Sequence, residues 1–183
     1  MSKQPKGTNR PAYASDTTLV NAGRDPQRFD GFVNVPVVRG STVLSPTVHD
    51  LEHHTGRYSY GRRGNPSVEA LETALAEFEG GAGVVLTPSG LSAVSTALLS
   101  VLEAGDHLLM VDTAYAPTRR VCNEGLRRFG IETTYYDPLI GDGIAARFRP
   151  NTRAIFMETP RSRSYEMLSV PAIVASAATG GVL

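Results

Sequence analysis

The sequence predicts an α/β protein built on a mostly parallel sheet with helices on both faces. Three observations carry this expectation. Short β runs at 83–87, 107–112, 131–136 and 154–157 alternate with stretches of helical spacing. Strands alternating with helices imply a parallel sheet covered on both faces. Each helical stretch also closes on a glycine, at Gly80, Gly105 and Gly130, where a helix commonly stops.

The elements follow in chain order. Residues 1–16 read as a polar, flexible tail, and 17–23 have room for one or two helical turns. From Asp25 to Pro46, Gly31, Pro36, Gly40 and Pro46 break short apolar pieces, so this segment reads as an extended arm. Arms of this kind pack on something else, because alone they bury little apolar surface for each residue they order. Residues 1–60 are thus expected to form a tail and arm, and 61–183 the α/β domain. Asn65 followed by Pro66 marks a helix start, a side-chain cap and then a proline at the first helical position. Val68, Leu71, Leu75 and Phe78 recur along it as one apolar stripe. After the first β run comes the turn Pro88-Ser89-Gly90 and a helix over 91–102. The second β run leads to a helix over 117–129, and the third to a loop at 137–143.

Composition narrows the function. The 183 residues carry 18 basic and 18 acidic side chains, a net charge of zero that argues against nucleic acid or an anionic membrane as the main partner. The uncharged stretch 80–102 is broken by glycine, serine, threonine and proline, and reads as strand, turn and buried helix instead of a membrane span. One cysteine, Cys122, excludes an internal disulfide and fits a reducing compartment, and the polar N-terminus shows no secretory signal, which together point to the cytoplasm. Lys3 and Lys6 are the only lysines; all other basic residues are arginine.

In open α/β sheets ligands bind beyond the carboxyl ends of the strands. The junction Thr87-Pro88-Ser89-Gly90-Leu91 places a glycine at a helix start, where free N–H groups and the positive end of the helix dipole suit a phosphate. An ordinary strand-to-helix turn would read the same. Asp112-Thr113-Ala114-Tyr115-Ala116-Pro117 puts an aromatic ring at the same edge, either to stack on a flat heterocycle or as a half-buried structural tyrosine. Tyr58-Ser59-Tyr60-Gly61-Arg62-Arg63-Gly64-Asn65-Pro66 is dense in phosphate-binding groups, and a solvated loop would also tolerate them. His49 and His53 share helical spacing without a third metal ligand, so no metal site is expected. The glycines at 80, 81 and 83 precede the β run, the wrong order for a dinucleotide loop.

Taken together, Tyr60-Gly61-Arg62-Arg63-Gly64-Asn65-Pro66, Leu86 to Val94, and Asp112 to Pro117 resemble the cysteine/methionine-metabolism family of pyridoxal-phosphate enzymes. Tyr115-Ala116-Pro117, Asp137 to Gly141 and Glu158-Thr159-Pro160 look most like its cystathionine β-lyase branch. The resemblance implies fold type I, the aminotransferase-like PLP fold, with pyridoxal 5'-phosphate as cofactor. It implies that Gly90 and Leu91 hold the phosphate, and that Tyr60 and Arg62 reach a neighbouring subunit's phosphate. Tyr115 is implied to stack on the pyridine and to handle the substrate amine as a catalytic residue. The arm would then be an intersubunit arm in a homo-oligomer. The implied reaction is carbon–sulfur lysis of cystathionine to homocysteine, pyruvate and ammonia, in methionine biosynthesis. A γ-synthase or γ-lyase relative, or a non-catalytic truncated domain, remains open on these residues. By the same resemblance the chain is expected to be the N-terminal portion of such an enzyme, lacking the Schiff-base lysine and the acid facing the pyridine nitrogen. Arg161 and Arg163 depart from the family pattern, which has a small and an apolar residue there.

Overall fold

The computed structural model describes residues 13–162 and 165–183. Lys3, Lys6, Arg163 and most of the expected tail lie outside the described residues. Contacts divide the chain into two compact units, Met1–Leu86 and Thr87–Leu183.

The first unit is helical and stitched by polar contacts. α1 (Ser15–Asn21) packs against α3 (Pro66–Glu79). A Cβ added at Gly23 would sit 2.3 Å from the carbonyl oxygen of Ala70, so only glycine permits this approach. The arm holds one turn of 3₁₀ helix at Pro26–Phe29 and is otherwise irregular. It leads to the short α2 (Val48–His53), whose Thr47 cap accepts the Asp50 N–H at 3.1 Å. The arm is tied to α3 through Ser67, whose hydroxyl donates to the Pro36 carbonyl at 2.8 Å and accepts the Val38 N–H at 2.9 Å. Asn65 caps α3 as its sequence announces, accepting the N–H groups of Ser67 at 3.0 Å and Val68 at 3.1 Å. The apolar stripe of α3 is real but finds no core here: Leu71 and Phe78 stay 49% and 48% exposed. No described residue of this unit is buried.

The second unit holds the sheet and the core. β1 (His107–Val111), β2 (Glu132–Tyr136) and β3 (Thr152–Phe156) form a parallel sheet in the order β2-β1-β3. β1 is paired on both edges, from His107 opposite Glu132 to Val111 opposite Tyr136, and every one of its residues is buried. That is why its sequence is apolar without alternation. The register with β3 slips by one residue between His107 and Leu108. Leu183 adds to the other edge of β3, its N–H donating to Arg153 at 3.1 Å and its carbonyl accepting from Ile155 at 2.8 Å. α4 (Gly90–Val101) precedes β1 and buries Leu98 in the core. α5 (Ala116–Arg120) joins β1 to β2 and runs into a π-helical turn, Val121–Leu126, that buries Cys122 and Leu126. A 3₁₀ helix, Gly141–Arg147, joins β2 to β3, and α6 (Val170–Gly180) packs on it.

One expected strand is absent. Residues 83–87 carry the apolar run but form no ladder with any described residue, and Val85 is 81% exposed. Strand propensity becomes a strand only when a neighbour satisfies the backbone, and none does so here. The expected helix over 117–129 is divided between an α and a π segment. No helix among the described residues is long and apolar enough to cross a membrane.

Candidate active site

The carboxyl ends of the three strands converge on one edge of the second unit. β1 ends at Val111, and its ladder with β2 continues one step further as the Asp112 N–H donates to the Tyr136 carbonyl at 2.9 Å. The loop that follows is held twice. Arg119 donates to the Asp112 carboxylate at 2.6 Å and also to the Asp112 carbonyl, while its guanidinium lies 4.1 Å over the Tyr135 ring. On the other side Glu158, just past β3, accepts the Tyr115 N–H at 3.1 Å. A carboxylate at that place also suits the start of α5, where the dipole is positive. Tyr115 is therefore fixed by its backbone, while its ring stays 53% exposed.

α4 supplies the second feature. Ser89 caps it, its hydroxyl accepting the Ser92 N–H at 3.1 Å and its carbonyl the Ala93 N–H at 2.9 Å, and Thr87 donates to the Ser89 carbonyl at 3.1 Å. The first N–H groups of a helix have no intrahelical acceptor, so those of Gly90 and Leu91 remain available to an outside anion. A Cβ built on Gly90 would meet no atom within 4 Å, so the start of α4 is open around this residue. α4 buries Leu98 in the same core and packs against α5, the helix that begins next to Tyr115.

Tyr60 and Arg62 belong to the first unit. Tyr60 forms an isolated antiparallel bridge with Thr42, and the Gly61 N–H donates to the Ser41 carbonyl at 2.7 Å. A Cβ at Gly61 would stand 2.1 Å from the Gly40 carbonyl oxygen, so arm and turn touch backbone to backbone. Both side chains are exposed.

Charge shifts away from these residues identify structural groups. Burial pushes the Cys122 thiol up to about 11, which makes it an inert core side chain. Burial likewise raises the Tyr136 hydroxyl, which donates to the Phe156 carbonyl at 3.1 Å. His49 and His53 stack with ring centroids 4.0 Å apart, and no cluster of metal-ligating side chains occurs among the described residues. Two open hollows, of 390 and 440 Å³, are not lined by Tyr60, Arg62, Gly90, Leu91 or Tyr115. Arg119 and Glu69 escaped the reading of the sequence, and Asp112 was quoted only within a motif, because a positioning role depends on contacts that spacing does not reveal. Glu158 was quoted only as part of a motif; its acceptance of the Tyr115 N–H appears only in three dimensions.

Comparison with known proteins adds an independent observation. Residues 16–183 match the family described as "Cys/Met metabolism PLP-dependent enzyme". A protein named cystathionine beta-lyase MetC from Escherichia coli is 43% identical over 166 residues, covering 88% of this chain and 42% of its own length. An L-alanine/L-glutamate racemase of Wolbachia pipientis is 36% identical over 173 residues, covering 87% of this chain and 42% of its own length. The crystal structure of a cystathionine gamma-lyase from Lactobacillus plantarum, complexed with L-serine, superposes with a TM-score of 0.85 at 27% identity, covering 93% of this chain and 43% of that one. The chain thus spans about two fifths of the length of these relatives.

Proposed function

This chain belongs to the family of Cys/Met metabolism PLP-dependent enzymes, and from that membership we propose that it forms the phosphate- and ring-binding part of a carbon–sulfur lyase acting on cystathionine. The donor set fits the cofactor: two free N–H groups at the open start of α4, those of Gly90 and Leu91, suit a phosphate dianion, and an exposed ring at Tyr115 suits a flat heterocycle. The open start of α4 at Gly90, on a helix packed against the one that follows Tyr115, is the observation on which the reading rests.

In this reading the Gly90 and Leu91 N–H groups donate to the phosphate. The Tyr60 hydroxyl and the Arg62 guanidinium reach the phosphate held by a neighbouring copy, so the protein works as a homo-oligomer. The Tyr115 ring covers one face of the pyridine, and its hydroxyl moves a proton at the substrate amine. When bound, pyridoxal phosphate supplies an electron sink for the α-carbon of the substrate. The net reaction, cystathionine and water to homocysteine, pyruvate and ammonia, would follow from loss of the α-proton and departure of the sulfur from the β-carbon. No lysine occurs between residues 13 and 183, so the described residues contribute no amine to hold the cofactor covalently. The one cysteine is free and buried, in keeping with a reducing cytoplasm.

The likeness to the Lactobacillus plantarum protein favours a second reading, γ-elimination, because Tyr60, Arg62, Gly90 and Tyr115 serve either reaction. One assay separates them. With pyridoxal phosphate and cystathionine, the protein carrying this chain is expected to release pyruvate; release of 2-oxobutyrate would establish γ-elimination instead, and neither product would overturn both.

A further inference from the structure

The segment 57–62 carries two arginine–tyrosine pairs, and the structure treats them differently. Arg57 donates through Nε to Glu69 at 3.2 Å and through Nη2 to the other oxygen of the same carboxylate. The Tyr58 hydroxyl donates to Glu69 as well. Arg28, from the arm, reaches Glu69 at 3.4 Å and the Tyr58 oxygen at 3.3 Å. Among the described residues, by contrast, no side chain pairs with the Arg62 guanidinium or the Tyr60 hydroxyl. One carboxylate thus saturates the first pair and leaves the second open.

Glu69 is well placed for this. It sits in the first turn of α3, directly behind the Asn65 cap, on a rigid element. The Asn65 amide also donates to the Gly61 carbonyl at 3.3 Å, so the turn is held at its start by Glu69, at its end by Asn65 and in its middle by the arm. Arginine holds the Glu69 carboxyl below the ordinary carboxylate range despite partial burial, and the carboxylate raises Arg57 in return. Arg57 and Glu69 are 48% and 24% exposed, and ion pairs at such exposure add little to stability. What they fix is direction, since a bidentate guanidinium–carboxylate pair has one geometry.

We propose that Glu69 is a positioning residue for Tyr60 and Arg62: by engaging Arg57, Tyr58 and Arg28 it sets where the turn begins and leaves Tyr60 and Arg62 free for a phosphate. This rests on the phosphate-binding role given to that pair above. The test is equilibrium titration of the protein carrying this chain with pyridoxal phosphate and with pyridoxal, which lacks the phosphate. Glu69→Ala is expected to weaken pyridoxal phosphate about tenfold and pyridoxal less than about twofold, with Glu69→Gln in between because it keeps an acceptor but loses the charge. Adding Arg62→Ala to Glu69→Ala should cost less than Arg62→Ala costs alone, because a displaced guanidinium has little left to lose. Equal weakening of both ligands, or full additivity, overturns the role of Glu69. Arg62→Ala by itself separates the two readings: if it leaves pyridoxal phosphate binding unchanged, the phosphate role of the pair fails, whereas a loss there with none in Glu69→Ala removes Glu69 alone. Should Glu69→Ala lose its cooperative thermal transition, Arg57→Ala, which leaves α3 untouched, is judged by the same criteria.

Discussion

Gly90 shows how a single residue can be indifferent to the fold and yet, in the proposed site, matter for binding. Nothing lies within 4 Å of where its Cβ would be, so Gly90→Ala meets no neighbour and alanine is, if anything, the better helix former. The same methyl group would stand at the open start of α4, beside the Gly90 and Leu91 N–H groups. Gly90→Ala is expected to keep its stability within about 0.5 kcal/mol, as surface substitutions do, yet to bind pyridoxal phosphate about tenfold more weakly, as when a charge-assisted hydrogen bond is lost. Thermal melting and ligand titration of one preparation check both halves; unchanged binding would remove Gly90 from the phosphate site. Gly61 is the opposite case, since its Cβ would run into the Gly40 carbonyl and part the arm from the turn. Both glycines stand in the sequence with equal weight, and their different duties come from what the fold brings against them.

At the scale of elements, β1 carries the most consequential polar residue of the core. His107 is fully buried at the amino end of the strand, Nδ1 lying 2.8 Å from the Thr152 hydroxyl and Nε2 2.9 Å from that of Thr134. Both hydroxyls also accept from Arg149, Thr152 from its N–H at 2.7 Å and Thr134 from its guanidinium at 2.9 Å. Burial first, and then the Arg149 charge, lower the His107 pKa from 6.5, with Glu132 opposing. The unfolded chain therefore binds the proton more readily than the folded one. Its contribution is complete above the unfolded value and is lost as pH falls below about 6.5. The urea midpoint is expected to drop between pH 7.5 and pH 5.5 and to drop less in His107→Gln; an equal slope in both would assign the effect to other groups. Elements with local signals were legible from the sequence: the Asn65–Pro66 start of α3 and the apolar run of β1. Residues 83–87 were not, because a strand needs a partner and the sequence does not say which residues will supply one.

Over the whole chain, the two units are unequal. The second buries a continuous core from Leu98 to Ile173, whereas the first buries no described residue and leaves Leu71, Phe78, Phe32 and Leu44 exposed. A unit so poor in burial offsets little of the entropy of ordering its own backbone, and under the proposed homo-oligomer it would gain stability from association. The melting temperature is accordingly expected to rise with protein concentration over the micromolar range, as linkage to self-association requires, and sedimentation should show a dimer or larger species. A monomer whose transition is independent of concentration would overturn the assembly. Much of this molecule was already determined by sequence: the alternation of strands and helices, the helix caps, the glycine turn at Gly90 and the tyrosine that follows β1 at Tyr115. All of these arise from residues close together along the chain, where backbone geometry acts directly. Tertiary structure alone decided that Glu158 and Arg119 hold the Tyr115 loop, that Glu69 occupies Arg57 and leaves Arg62 free, and that the stripe on α3 finds no core in its own unit. Those outcomes depend on which distant groups meet, and a carboxylate chooses among several arginines by position, which periodicity along the chain does not encode.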